Sequence, residues 1–430
     1  MRLNPEKIAD LSPERLNTIM RRSMQDVSEI YNSTKAILDD IRQRGDAVNV
    51  EHYLKLKGDL KAEDFLVTPE EIADAYRQVP QNVVDHLKIA AKNVVTFHTA
   101  QMDRPQWQME VMPGIIAGRK NTPLDSAGCY VPGRRAAYPS SVLMTILPAV
   151  VAGVKRVVVT TPPDEGLTAN PYTLVACDIA GVKEVYKIGG PWAVGALAYG
   201  TGTIEKVAKI VGPGNKYVTA AKMLVYGQVD IDSPAGPSEA LLLADSTGRP
   251  EFLALDFLSQ VEHDPDAAAV LVTDDPALAQ AVCDEIKRLY PTMPRTEIMD
   301  QAMRYCAILV AENIEAAIDF TNQYAAEHLE IVTADPFLTL QKVRHAGSIF
   351  MGPWAPVPVG DYASGTNHVL PTGQAALSFS GLSVDDFIKK PTYQYLTKEG
   401  LASLGETITT LAEAEGLPIH AMCIRKRLES

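Results

Sequence analysis

The apolar positions along the 430-residue chain change period partway along its length. Up to about residue 103 they recur every three to four residues, as on helices with one buried face. Thr68-Pro69-Glu70-Glu71 is a helix start, with a Thr cap, a proline in the first turn and a Glu placed to close a capping box. A long amphipathic pattern runs from Val83 towards Gln101. Trp107 to Lys120, punctuated by Pro113-Gly114, reads as an antiparallel hairpin.

Short apolar runs then alternate with helical patterns. Ala127–Val131, Arg156–Thr161, Glu184–Ile188 and Lys206–Val211 lead into helices from Ser140, about Pro171, Pro191 and Asn215. A second series has strands at Ala240–Leu243, Ala269–Val272, Ala307–Val310 and Ser348–Met351, with helices from about Pro250, Pro276 and Ile314. Such alternation predicts parallel sheets covered on both faces, with ligands at the carboxyl ends of the strands. The expected fold class is α/β: two Rossmann-like parallel-sheet domains without GxGxxG, a helical N-terminal region and a helical C-terminal tail. The expected units are an N-terminal helical segment at 1–25 and a discontinuous α/β domain from 26–128 and 239–380. A second α/β domain spans 129–238, and the tail spans 381–430. Gly360–Thr372, rich in Gly, Asp, Ser, Thr and Asn, reads as a loop after the apolar run Ile349–Val359.

Composition narrows the function classes. An apolar fraction of 46% and a charged fraction of 22% are those of a soluble globular protein. A net charge of −13 argues against a nucleic-acid partner or an anionic membrane, and Arg425-Lys426-Arg427 reads as a solvated tail. The segment Met1-Arg-Leu-Asn-Pro lacks the apolar core of a signal peptide, and no run has the length of a membrane helix. Five scattered cysteines without CxxC spacing fit reduced thiols in a cytoplasm.

Candidate chemistry lies in the irregular stretches. Val211-Gly-Pro-Gly-Asn215-Lys216 ends a strand and opens a helix, so its N–H groups suit an anionic cofactor. Val131-Pro-Gly-Arg134-Arg135 does likewise and adds guanidinium groups, although each is also simply a tight turn. Gln260 and His263 stand three apart near a helix end. Glu327-His328 pairs a carboxylate with an imidazole where a helix passes into a strand, and either could act as a base. Asp361 and His368 lie in the Gly360–Thr372 stretch, and Glu415 and His420 at a broken helix end. Each pair alone reads as ordinary surface or cap chemistry. Together, Gln260, His263, Asp361 and His420 offer two nitrogens and two oxygens, a zinc shell with room for a substrate. His52, His86 and His98 fall within helical patterns and read as structural or surface residues.

Longer motifs carry a resemblance. Val131-Pro-Gly with Ala136–Met144, Gly212-Pro-Gly-Asn215, Ala235-Gly-Pro-Ser238-Glu239, Gln260-Val-Glu-His263, Ala326-Glu-His328-Leu-Glu330, Asn367–Thr372 and Leu382–Phe387 resemble the histidinol dehydrogenase family over nearly the whole chain. The resemblance implies a four-electron oxidation of L-histidinol through L-histidinal to L-histidine, with one zinc per subunit and two NAD. It implies that Gln260, His263, Asp361 and His420 hold the zinc, and that His328 is the general base and Glu327 activates water. Ser238, His368 and Glu415 would bind substrate together with His328 and the zinc ligands, and Tyr130 and Asn215 would lie along the NAD on the side of the 129–238 domain. It also implies a homodimer in which the C-terminal tail crosses to complete the neighbour's site. Two departures fall in the cofactor region: Gly133-Arg134 where the family usually has Gly-Gly, and Pro191-Trp192 where it usually has Ala-Gln. Trp192 cannot repeat the amide's hydrogen bonds but can stack on a ring. One rival reading keeps the zinc and the base but oxidises another polar alcohol, such as a sulfonated diol. A second is a metal-dependent dinucleotide-binding protein without catalysis.

Overall fold

Two parallel sheets organise the chain in the computed structural model, which describes residues 3–22, 28–133, 137–233 and 236–429. Arg134, Arg135, Ala136 and Ala235, named above in candidate motifs, lie outside the described residues.

Strand β1 (Pro5–Lys7) and helix α1 (Pro13–Arg21) open the chain, followed by α2 (Ser28–Arg44), α3 (Asp46–Tyr53), α4 (Pro69–Gln78) and α5 (Gln81–Ala100). The predicted capping box is present at α4: Thr68 accepts from the Glu71 amide and Glu71 accepts from the Thr68 amide. The predicted hairpin is β2 (Gln106–Met112) with β3 (Ile115–Lys120). After β4 (Thr122–Pro123) comes the first alternating series: β5 (Ser126–Tyr130), α6 (Pro139–Ala152), β6 (Arg156–Thr160), α7 (Pro171–Ile179), β7 (Glu184–Tyr186), α8 (Gly190–Tyr199), β8 (Lys209–Val211), α9 (Lys216–Val225) and β9 (Asp230–Ile231). Its strands form a five-stranded parallel sheet in the order β7-β6-β5-β8-β9.

The second series is β10 (Glu239–Ala244), α10 (Pro250–Val261), β11 (Ala268–Thr273), α11 (Pro276–Leu289), α12 (Thr296–Ala302), β12 (Ala307–Val310), α13 (Ile314–Tyr324), β13 (His328–Val332), α14 (Pro336–Leu340), β14 (Ser348–Met351) and α15 (Val357–Tyr362). Its strands and β1 form a six-stranded parallel sheet in the order β1-β12-β11-β10-β13-β14. Strands β10, β11 and β13 are buried at every residue, which is why Ala240–Ala244 and Ala268–Val272 read as apolar runs, while β13 also buries His328 and Glu330. The chain ends with β15 (Ile388–Lys389), β16 (Thr392–Leu396), α16 (Lys398–Ala414) and α17 (Pro418–Glu429). Among the described residues no helix is long and apolar enough to cross a membrane.

Tertiary pairing changes several local expectations. The N-terminal segment is not wholly helical, because Pro5–Lys7 pairs in parallel with Ile308–Val310 and supplies a sixth strand. The last fifty residues are not wholly helical either: Thr392–Leu396 pairs antiparallel with Ile115–Arg119 and extends the hairpin to three strands. The stretch read as a loop from Gly360 begins inside α15, which takes in Gly360, Asp361 and Tyr362. The grouping of 26–128 with 239–380 also differs from the packing. Leu38 of α2 and Tyr53 of α3 share a core with Val158 and Ile210 of the five-stranded sheet. Val84 and Val94 of α5 likewise share a core with Cys129 and Val159 of that sheet.

Candidate active site

The carboxyl ends of the five-stranded sheet open onto a cleft of about 1210 Å³, whose far side is formed by Gly236, Pro237 and Glu239 at the start of β10. Parallel strands point their carbonyl ends and the following helix N-termini into such a space. Tyr130, Trp192 and Asn215, the three expected cofactor contacts, all line it. Tyr130 ends β5, and its hydroxyl accepts from the Gly190 amide at 3.2 Å. Asn215 caps α9, its Oδ1 accepting from the Tyr217 and Val218 amides. The preceding turn needs glycine: Gly212 has φ +116°, and a Cβ there would stand 2.1 Å from the Tyr130 carbonyl oxygen. Its amide donates to Asp232 at 2.6 Å and its carbonyl accepts from Lys222 at 3.0 Å, and these two buried side chains form an ion pair. Trp192 stacks on His52, with ring centroids 3.5 Å apart and planes 18° apart. His52 therefore lines the cleft and is not merely a surface residue of α3. Its helix shows no periodicity that would have singled it out; only the tertiary stack does.

The acid–base candidates lie at the amino ends of the six-stranded sheet, not at carboxyl ends. Ser238 and Glu239 open β10, Glu327 and His328 open β13, and β10 and β13 pair with Ala240 opposite His328. Helix α10 runs antiparallel to its strands and brings Gln260, in its last turn, to the same end. Five side chains form a continuous chain of contacts there. Gln260 Nε2 donates to Ser238 Oγ at 2.9 Å, and Ser238 Oγ donates to Glu327 Oε2 at 2.7 Å. Glu327 Oε2 also accepts from the Glu239 amide at 2.8 Å and lies 3.4 Å from His328 Nδ1. His328 Nε2 lies 3.7 Å from Asp361 Oδ1. His368 joins this group, with Nδ1 at 2.9 Å from the Asp361 carbonyl oxygen and Nε2 at 3.3 Å from Ser141 Oγ.

The electrostatics are those of a dry, carboxylate-rich pocket. His328 is 4% exposed, and its Nε2 is buried with no hydrogen-bond partner. Burial opposes its charge, but Glu327, Asp361 and the Glu239 carbonyl together raise its pKa to about 9. Burial holds His368 below the ordinary histidine value despite Asp361. Burial also pushes the Glu239 carboxyl up to about 7, against the Arg22 guanidinium at 2.9 Å and with help from Glu327. Arg22, Ser141 and Glu239 carry no role in the sequence alone; Ser141 and Glu239 stand inside the quoted motifs, while Arg22 carries no local signal.

The remaining candidates stand apart. His263 lies two residues beyond the end of α10 and is exposed, its amide donating to the Gln260 carbonyl. Glu415 caps the end of α16 and His420 lies in the first turn of α17, both exposed. Among the described residues no three His, Cys, Asp or Glu side chains gather closely enough to hold a metal within one chain.

The family model described as histidinol dehydrogenase matches residues 20–428. This chain belongs to the histidinol dehydrogenase family. It is 48% identical to the histidinol dehydrogenase of Methanothermobacter thermautotrophicus over 423 residues, covering 98% of this chain and 99% of that one. It is 46% identical to that of Geobacillus kaustophilus, covering 95% of this chain and 97% of that one. The crystal structure of histidinol dehydrogenase from Elizabethkingia anophelis superposes with a TM-score of 0.94 at 37% identity, covering 99% of this chain and 98% of that one. The protein is accordingly an oxidoreductase with the histidinol dehydrogenase fold.

Proposed function

We propose that the protein is a cytoplasmic histidinol dehydrogenase that oxidises L-histidinol through L-histidinal to L-histidine, the last steps of histidine biosynthesis. The contact chain Gln260–Ser238–Glu327–His328–Asp361, joined through the Glu327–Glu239 hydrogen bond to Glu239 in the lining of a cleft of cofactor size, carries this reading.

Two imidazoles, a carboxylate and an amide oxygen form a donor set that suits zinc. Gln260, His263 and Asp361 would hold it with His420 of the partner subunit, and Asp361 already faces an orphaned buried nitrogen, His328 Nε2. When bound, the zinc would orient the amino and imidazole nitrogens of the substrate, and NAD in the cleft would accept hydride.

The chain's own groups would handle the protons. His328 Nδ1 sits 3.1 Å from the Glu239 carbonyl, so its N–H is donated there and Nε2 is left as the acceptor. That nitrogen would take the hydroxyl proton of the alcohol. A cation at Asp361 would offset one of the carboxylates that hold His328 protonated. Glu327 has Oε2 occupied by two donors, so Oε1 is the oxygen that would take a proton from the water adding to the aldehyde. Ser238, His368 and the partner's Glu415 would contact the substrate, and Tyr130, Trp192 and Asn215 the NAD.

Surface exposure supports a homodimer with shared sites. Strand β2 is exposed at every residue, with Trp107, Met109, Val111 and Met112 between 41% and 56% exposed. On α17, beside His420, Ile419 is 72% exposed. An apolar edge strand and an apolar helix face left bare on a monomer are surfaces a second copy would cover.

Counting NADH formed per L-histidinol tests the proposal, with two expected. Turnover of another polar alcohol but not histidinol would favour the rival dehydrogenase. Reduction of NAD by neither would overturn catalysis.

A further inference from the structure

Two carboxyl groups that the chemistry above does not use lie one step behind it. Asp256 sits on α10 one turn before Gln260, and Glu330 sits on β13 two residues after His328, on the same sheet face. The two carboxyls line the same small void and lie within hydrogen-bonding reach of each other. Glu330 is 2% exposed, and its Oε1 accepts the amide of Val357, the first residue of α15, at 2.8 Å. Helix α15 carries Asp361 one turn later. Each of three elements thus bears one residue of the site and, one structural repeat away, one member of a common junction.

We propose that the Asp256–Glu330 carboxyl pair, holding one proton between α10 and β13 and capping α15, is a positioning device that fixes Gln260, His328 and Asp361 relative to one another. The inference rests on the proposed function, because that reading gives those three residues their roles.

Two carboxyl oxygens can bond directly only if one carries a proton. The surroundings favour that state. The void beside the pair, lined by Arg249, Phe252, Asp256, Glu330 and Pro356 among others, is about 10 Å³ and has room for one water at most. The guanidinium of Arg249 lies over the Phe252 ring, 4.1 Å from its centroid. Burial first, and then Asp256, push the Glu330 acid well above the usual range; burial raises Asp256 to about 6 although its bond with Glu330 pulls the other way. Glu330 is also the more deeply buried of the two, 2% exposed against a half-buried Asp256, and deeper burial puts the shared proton on Glu330 with Asp256 as its acceptor. The neutral Glu330 spends its O–H on α10 and its other oxygen on α15, which is the hydrogen-bonding pattern of a glutamine amide.

This makes a conservative variant informative. Glu330→Gln keeps both bonds without a titrating proton, whereas Glu330→Leu keeps the bulk and loses both. Hydrogen exchange at the α15 amides, read on protein without metal, cofactor or substrate, is expected to match wild type in E330Q and to rise about tenfold in E330L, the effect of one buried hydrogen bond. With histidinol, kcat is expected to fall at least about tenfold in E330L and to be kept in E330Q, the KM for NAD changing in neither. E330Q as impaired as E330L, or α15 exchange unmoved in E330L, would overturn the proposal. Should E330L fail to fold, Asp256→Ala against Asp256→Asn asks the same question from the half-buried end, with loss expected only in D256A. A wild type that ignores histidinol but shows the exchange pattern would sink the functional reading and leave the junction standing.

Discussion

The Nδ1 of His328 lies 3.1 Å from the carbonyl oxygen of Glu239, across the pairing of β13 with β10. That contact fixes the ring by backbone, so the base would be aimed by the sheet itself. His328→Asn is expected to lower oxidation of histidinol by at least about a hundredfold, the usual scale of general base loss. Glu327→Gln should spare the alcohol step more than aldehyde oxidation, because only the latter needs an activated water. Equal losses on histidinol and histidinal would argue against this division.

Removing metal tests the ligand set. Prolonged chelation is expected to abolish activity, and zinc to restore it, since the facing pair His328 Nε2 and Asp361 Oδ1 at 3.7 Å would then lack a cation to organise them. Full activity in protein shown to be metal-free by elemental analysis would be fatal to that assignment.

Glu239 gives a pH prediction on stability. Its folded pKa is raised from 4.5 to about 7, so the native state holds a proton that the unfolded chain releases. Stability contributed by this group is full below about pH 4.5 and is lost as pH rises towards 7, on the order of 3 kcal/mol for a fully buried carboxyl. Urea unfolding of Glu239→Gln should show a flatter dependence over that window, on a lower baseline because Arg22 loses its partner. An unchanged slope would mean that Glu239 titrates normally in the folded protein.

How much of this was legible follows from what each residue depends on. The central strands β5, β6, β8, β10, β11 and β12 show as apolar runs because they lie inside covered sheets, and Glu327-His328 stands out because a polar pair opens a strand that follows a helix. Strands β1 and β16 were missed because their pairing with β12 and β3 is decided hundreds of residues away. Helix α15 was missed because its first amide is held by Glu330, a contact that no local pattern announces. The site was expected at carboxyl ends; its acid–base half lies at amino ends because α10 turns its last residues back to the start of β10 and β13. Trp192, in the expected cofactor region and able to stack on a ring, meets one within the protein itself, that of His52.

That stack sets the expectation for the cleft. Trp192→Gln should raise the KM for NAD more than that for histidinol, because it removes a stacked wall of the cleft proposed for the cofactor and leaves the contact chain at Glu327 untouched. His52→Ala should move the same constant in the same direction if the two rings act as one surface. An effect confined to histidinol would place Trp192 on the wrong side of the cleft.

The exposed His263 and His420 give the sharpest test of assembly. Among the described residues of one chain neither is gathered with other His, Cys, Asp or Glu side chains into a metal site, yet both stand in the proposed ligand set. If His420 serves the neighbouring subunit, His263→Ala and His420→Ala homodimers should each be nearly inactive, since each lacks one ligand in both sites. A mixed dimer distributes the defects differently: one site collects both, and the other is intact. Unfolding the two variants together and refolding them should therefore recover about a quarter of wild-type activity, because about half of the dimers are mixed and half of their sites are whole under random pairing. Mass spectrometry of the intact dimers would establish that hybrids form. Hybrids without recovered activity would mean that α17 serves its own subunit, and the zinc shell would then have to close by movement of that helix within one chain.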